Sequence, residues 1–229
     1  MAHIDRESIK NGFFQKMAQA AHDKGLITLT SAEERERSWR QTLSTNPNQD
    51  GSVWVFAYGS LLWNPAMHIS EKTDAYLEGY HRDFCLQTYV GRGSETHPGL
   101  VLGLEQGGSC HGQALKVDPS CIEEEFSVLW SREMVASAYQ PLWLPLKTDK
   151  EATLYAVAFV MDKNSPQYAG SLNFEQRCIH LAQGEGALGS AADYLFETVN
   201  ALHGLGINDE RLDKYVKRVE SLLNESRTE

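Results

Sequence analysis

The sequence predicts an α+β protein in which the middle of the chain forms a closed or strongly curved sheet and helices flank it at both ends. Three observations carry this. Apolar strand-like runs cluster between residues 53 and 161. Helical patterns with capping residues occupy residues 6–43 and 171–223, with one more near Asp118. Strands and helices do not alternate, which argues against βαβ units and a parallel sheet. The 229 residues suit one domain, or one domain with an appendage, and at this length the core needs no disulfide or metal to hold it.

From the N-terminus, Arg6–Lys24 and Ser31–Leu43 are rich in helix formers, and Ser31 with Glu34 has the form of a capping box. Thr45 to Gly51 reads as a turn-rich linker, so residues 1–50 are expected to form a helical N-terminal extension packed against a body of residues 51–229. Val53–Tyr58 is a continuous apolar run ending at Gly59-Ser60, the pattern of a strand buried on both faces. Tyr80–Val90 is strand-like, and Leu100–Leu104 and Gly112–Val117 flank Gln106–Ser109, which reads as a hairpin turn. Asp118-Pro119 marks a helix start, an acidic cap followed by proline at the first helical position. Thr153–Met161 is a further strand, and Ser171–Gln183, Ala191–Leu202 and Asp209–Leu223 are helices.

The formal net charge is −10, and residues 1–50 carry seven acids and seven bases, so all of the excess belongs to residues 51–229. No run is basic, which argues against nucleic acid or an anionic membrane surface as partner. Cys85, Cys110, Cys121 and Cys178 form no CxxC pair and fit a reducing compartment. No stretch reaches the ~18 apolar residues of a membrane span, and no signal-peptide pattern opens the chain, so a cytoplasmic protein is expected.

Several motifs fall away on context. Gly184–Gly189 matches G-x-G-x-x-G, but it follows a helical pattern where a dinucleotide site needs a strand, so it reads as a helix-to-helix turn. The eight histidines form no i, i+4 pair, and no metal ligand set is legible. Cys110 and His111 are neighbours on a strand and point to opposite faces, which suits neither a catalytic dyad nor chelation.

Two features remain. At about 100° per residue, Ile122, Phe126, Leu129 and Trp130 share one stripe of the helix, and Glu133 lies in the middle of it. Glu123–Glu125 and Arg132 are expected on the solvated side. A carboxyl placed inward is costly unless paired, and desolvation raises its pKa, the setting of a general acid or base. A structural partner of an arginine or of backbone amides is the other reading. In the second feature, Phe56–Leu61, a buried strand runs into Gly-Ser and leaves successive N–H groups facing a loop, a nest suited to an anion or, more plainly, an ordinary turn.

Those residues carry a resemblance. Val53–Trp63 resembles the signature strand and loop of the γ-glutamylcyclotransferases, and Leu129–Met134 the segment holding their catalytic glutamate; within that group the chain is similar to the ChaC branch, the glutathione-specific enzymes. Gly91–Gly93, Pro98-Gly99, Gly112–Ala114, Pro166–Tyr168 and Leu188–Leu195 match further pieces in the family's order. The resemblance implies a small β-barrel with flanking helices, no cofactor, and release of 5-oxoproline and Cys-Gly from glutathione. It implies that Tyr58, Gly59, Ser60 and Leu61, with Val55, Phe56 and Ala57 leading in, hold the γ-glutamyl group, and that Glu133 transfers protons. Ala57 stands where family members commonly have glycine.

The chemistry of that reaction fits the residues. The substrate's own α-amine attacks its side-chain amide, so no protein nucleophile is needed, and one carboxyl with a raised pKa can relay the protons. The amides at Gly59, Ser60 and Leu61 are placed to meet either a carboxylate or an oxyanion. Tyr168 and Tyr194 are candidate donors to substrate carboxylates, or packing residues, and Arg92 is a candidate charge partner or a solvated loop arginine. The alternatives are cyclotransfer on other γ-glutamyl peptides or amines, and a non-catalytic regulator of cation transport.

Overall fold

A computed structural model describes residues 5–148 and 153–226. The predicted α+β architecture is present: five strands close a barrel in the order β1-β3-β2-β4-β5 and helices flank it. The strands are β1 (Trp54–Ala57), β2 (Ile69–Thr88), β3 (Gly99–Val117), β4 (Tyr139–Thr148) and β5 (Thr153–Met161). The sheet closes where β5 meets β1 at Val55–Val157 and β3 at Leu104–Val160, both parallel contacts in an otherwise antiparallel sheet.

Strand β1 explains its own composition. Its side chains alternate, so Trp54 and Phe56 enter one apolar cluster with Phe84, Leu102 and the C-terminal helices, while Val55 and Ala57 enter another with Trp130 and Phe159. Both faces are covered, which is why no polar residue interrupts the run.

Three strand predictions need correction. The Gln106–Ser109 hairpin does not exist, because β3 runs through these residues and pairs with β2 on either side. Gly107 and Gly108 have φ of +101° and +68°, and the register slips opposite Gly79, so the glycines make a bulge that bends two long strands around the barrel. The true β2–β3 connection is the loop through Gly91–Gly93. Strand β2 begins at Ile69, eleven residues before the predicted start, since Ile69–Gly79 is largely exposed and charged and lacks an apolar signal. Strand β4 was not expected, for Pro141 and Pro145 argue against a strand; they have the same parity, so both absent N–H groups fall on one edge, and β4 is paired with β5 throughout but with β2 only at Ala75 and Tyr76.

The helices are α1 (Arg6–Lys10), α2 (Phe13–Asp23), α3 (Ala32–Ser44), α4 (Ile122–Glu133), α5 (Phe174–Gln183), α6 (Ala191–Gly204) and α7 (Glu210–Glu225). The first predicted helix is broken at Asn11-Gly12. The Ser31–Glu34 capping box forms as expected. Helix α4 starts at Ile122, after an Asx turn in which Asp118 accepts from Ser120, so Pro119 precedes the helix and does not open it. Gly184–Gly189 does lie between helices. It folds as a two-strand ribbon, β6 (Glu185–Gly186) and β7 (Gly189–Ser190), on the Gly91–Gly93 loop. A Cβ on Gly186 would stand 2.5 Å from the carbonyl oxygens of Gly91 and Gly93, so its glycine serves backbone packing and not a phosphate.

Candidate active site

Helix α4 delivers Glu133 to the site. Phe126 stacks on Trp130 at 5.0 Å between ring centroids, Trp130 meets Phe159 edge-on, and the Trp130 indole N–H donates to Ser38 Oγ at 3.0 Å. With the stripe anchored on the barrel, the last residue of the helix turns inward as the periodicity requires. Glu133 lines a cavity of about 200 Å³ together with Tyr58, Gly59, Ser60, Leu61, Arg92 and Tyr194. Its side chain is 16% exposed.

Burial raises the Glu133 carboxyl above the ordinary glutamate range, and the adjacent Arg132 guanidinium pulls the other way. The negative end of the α4 dipole acts in the same direction as burial. Arg132 Nε lies 3.0 Å from Glu133 Oε1, but that oxygen has no aligned hydrogen bond, so the contact is ionic and leaves the carboxyl's proton-accepting geometry uncommitted.

Arg132 was expected on the solvated side of the helix and is not there. Its side chain is 8% exposed, its Nη1 donates to Asn64 O at 2.5 Å, and its Nη2 donates to Ser60 Oγ at 2.8 Å. The helical wheel placed the Cα correctly, but a long side chain can swing back along the helix, and the Ser60–Leu62 3₁₀ turn rises to meet it. One guanidinium thereby fixes the loop against the acid. Glu125 was likewise assigned to solvent and is wholly buried, accepting from Arg6 and from the backbone N–H of His68. Glu123 and Glu124 are exposed as predicted, yet they pair with Arg40, Arg6 and Lys10 of the N-terminal helices.

The loop and Tyr194 fit together through glycine. A Cβ at Gly59 would stand 2.9 Å from the Tyr194 hydroxyl, so only glycine lets α6 bring that hydroxyl onto the loop. Burial, with the Glu133 charge, pushes the Tyr194 phenol up to about 12, while hydrogen bonds from the Leu102 and Ser60 backbone act against them. It therefore remains a neutral donor at physiological pH. Tyr58 and Tyr139 also surround Glu133; burial holds both phenols well above their usual value, and their hydroxyls donate to Phe159 O and Leu102 O, each at 2.7 Å. Tyr139 carried no sequence signal because it sits on β4, the strand hidden by its prolines.

The other candidates are placed as follows. Arg92 lines the cavity and is 8% exposed; its guanidinium donates to Ser190 O and Glu197, each at 3.2 Å. Val55, Phe56 and Ala57 are fully buried in the two core clusters and do not line the cavity. Tyr168 lies outside it too, with its hydroxyl on Glu105. Among the described residues, two groups of metal-ligating type come together, His68–Cys121–Glu125 and His81–Asp83–Glu105. Neither lines the cavity, and in each a buried acid is already held by arginine, Glu125 by Arg6 and Asp83 by Arg177.

Comparisons with known proteins give the family and the fold. The family described as ChaC-like protein matches residues 53–222. The chain is 38% identical over 198 residues to the glutathione-specific gamma-glutamylcyclotransferase of Escherichia coli, covering 86% of this chain and 85% of that one. It is 28% identical to the human glutathione-specific gamma-glutamylcyclotransferase 1, over 77% of this chain and 84% of that one. Its fold is similar to that of the crystal structure of a yeast gamma-glutamyl cyclotransferase specific to glutathione, with a TM-score of 0.69 at 18% identity over 74% of this chain and 96% of that one. Matched by the family over most of its length, and more than a third identical to the bacterial relative across nearly all of it, the chain belongs to the ChaC-like protein family.

Proposed function

We propose that this protein is a glutathione-specific γ-glutamylcyclotransferase of the cytoplasm, releasing 5-oxoproline and Cys-Gly, with Glu133 as the proton-transfer group. The observation that carries the reading is a carboxyl of raised pKa on the wall of a cavity shared with the Tyr58–Leu61 loop. The curated relatives whose names specify glutathione support the substrate.

The α-amine of the γ-glutamyl group enters as ammonium and gives a proton to Glu133. The freed nitrogen attacks the γ-carbonyl carbon, a tetrahedral oxyanion forms, and the C–N bond to the cysteine nitrogen breaks. In all, two protons leave the attacking nitrogen and two reach the departing amine, so a carboxyl that takes and returns them ends as it began. Such a relay contributes ~10²–10⁴-fold. Arg132 favours the ionised form of Glu133 against the pull of burial, and its grip on Ser60 and Asn64 holds the loop in place for the oxyanion or the substrate's α-carboxylate. Holding amine and carbonyl ~3–3.5 Å apart adds a share through orientation.

Purified protein incubated with glutathione is expected to release 5-oxoproline, faster than with γ-glutamylalanine or oxidised glutathione. Equal or faster turnover of γ-glutamylalanine would remove the claim to glutathione. Gly59→Ala is expected to push Tyr194 off the loop and lower kcat/KM by about 10–100-fold. Its effect on unfolding should be about 1–3 kcal/mol, that of an overpacked methyl, and the variant should remain folded. Wild-type kcat/KM in that variant would mean that the Gly59–Tyr194 approach has no part in turnover.

A further inference from the structure

The cavity is not made by residues 53–222 alone. Phe14, Met17 and Ala18 of α2 and Ile27 beyond it also line it, although they precede the stretch that the family matches. The N-terminal segment is fastened beside Glu133: Gln15 donates to Ser131 O at 3.0 Å, Thr30 Oγ1 to Met134 O at 2.5 Å, and Leu29 bridges to Ala136. Arg6 and Lys10 anchor its start on Glu124 and Glu125.

Where α2 crosses the cavity it meets the β6–β7 turn. A Cβ on Gly91 would touch Leu188 Cδ1 at 3.3 Å and Met17 Cε at 3.8 Å, so both side chains converge over the same glycine. Phe14 and Leu188 belong to one apolar cluster with Met17. The charged groups that line the cavity are Arg92, Arg132 and Glu133; none belongs to α2, and Arg92, which follows Gly91, is already held by Ser190 O and Glu197.

We propose that the N-terminal helical segment completes the active site, with Met17 and Leu188 forming an apolar wall that recognises the residue on the leaving side of the scissile bond and selects an uncharged, cysteine-sized side chain there. The proposal rests on the cyclotransferase reading given above. The γ-glutamyl head brings an ammonium and a carboxylate, which belong with Glu133 and the polar loop. That leaves the apolar wall to the departing amine's own side chain, where a flexible, polarisable thioether can pack closely against a thiol. A carboxylate there would lose its water without gaining a free partner, because the adjacent cation, Arg92, is already paired with Glu197.

Met17→Ala, Met17→Leu and the wild type should be compared on glutathione, γ-glutamylalanine and γ-glutamylglutamate. Met17→Ala is expected to lower kcat/KM for glutathione about tenfold, mainly through KM, and to lower the preference for glutathione over γ-glutamylalanine. Met17→Leu, which keeps the bulk, should restore most of both. Wild-type protein should reject γ-glutamylglutamate. If all three substrates fall alike in Met17→Ala, the residue is structural and the wall reads nothing; if γ-glutamylglutamate is turned over as well as glutathione, the selectivity is absent. Failure of wild-type protein to release 5-oxoproline from any of the three would instead overturn the cyclotransferase reading.

Discussion

Glu133→Gln is expected to lower 5-oxoproline release by ~10²–10⁴-fold while leaving the protein folded and, at neutral pH, more stable than the wild type. The amide is nearly isosteric and cannot take a proton from the ammonium. The stability gain follows from the raised pKa of the carboxyl. Between its unfolded value, near that of a free glutamate, and its higher folded value, the native state binds more protons than the unfolded one. Stability then falls as pH rises through that window, and the carboxylate remains a liability above it. Below the unfolded pKa both states are protonated and the liability vanishes. Thermal unfolding of the two proteins should thus converge in acid and separate at pH 7 with the glutamine variant higher. In the wild type, the acid limb of kcat/KM should lie above the ordinary carboxylate range, and the residual activity of the variant should lack it. Wild-type turnover in a folded Glu133→Gln protein would end the assignment. A variant less stable at pH 7 would show instead that the Arg132 contact outweighs burial.

The sequence made Glu133 visible because its position depends on local periodicity, and periodicity survives folding when the stripe is as apolar as Phe126, Leu129 and Trp130. It hid Arg132 because the groups that draw it inward, Ser60 and Asn64, lie about seventy residues earlier in the chain and no spacing rule connects them. The same divide runs through the fold. Strand β1, buried on both faces, announces itself, whereas the exposed first half of β2 is poor in apolar residues and the apolar run of β4 is broken by Pro141 and Pro145, so both are fixed as strands by their pairing partners. Gly107 and Gly108 misled because positive φ serves a hairpin turn and a bulge equally well, and only the register opposite Gly79 decides between them. Glu125 misled for a third reason. Its place in an acidic run matched a solvated face, but a basic N-terminal helix covers that face, and Arg6 makes the burial tolerable.

Asp83→Ala is expected to be among the most destabilising single changes, at about 3–5 kcal/mol, because it strands a buried cation. Asp83 sits on β2, 6% exposed, and accepts from the Arg177 guanidinium at 2.5 Å, the Tyr215 hydroxyl at 2.9 Å, the Arg211 guanidinium at 3.0 Å and the Phe84 N–H at 2.8 Å. Arg177 belongs to α5, and Arg211 and Tyr215 to α7, so one carboxylate joins two helices to the barrel. Truncation would leave Arg177, itself 8% exposed, without its counter-charge and Tyr215 without an acceptor. For a chain of this size the expected loss corresponds to a fall in Tm of very roughly 6–20 °C. The cost is that of an orphaned charge more than of a lost attraction, and a second variant separates the two. Adding Arg177→Met to Asp83→Ala removes the cation and should recover a substantial part of the stability, whereas Arg177→Met alone should cost less than Asp83→Ala, since Arg211 and Tyr215 still neutralise the acid. High salt should do little to rescue Asp83→Ala, because the site is shielded from solvent. A loss below about 1 kcal/mol, within the range of a surface ion pair, would mean that water reaches Arg177 and that the helices are held to the barrel by their apolar faces alone.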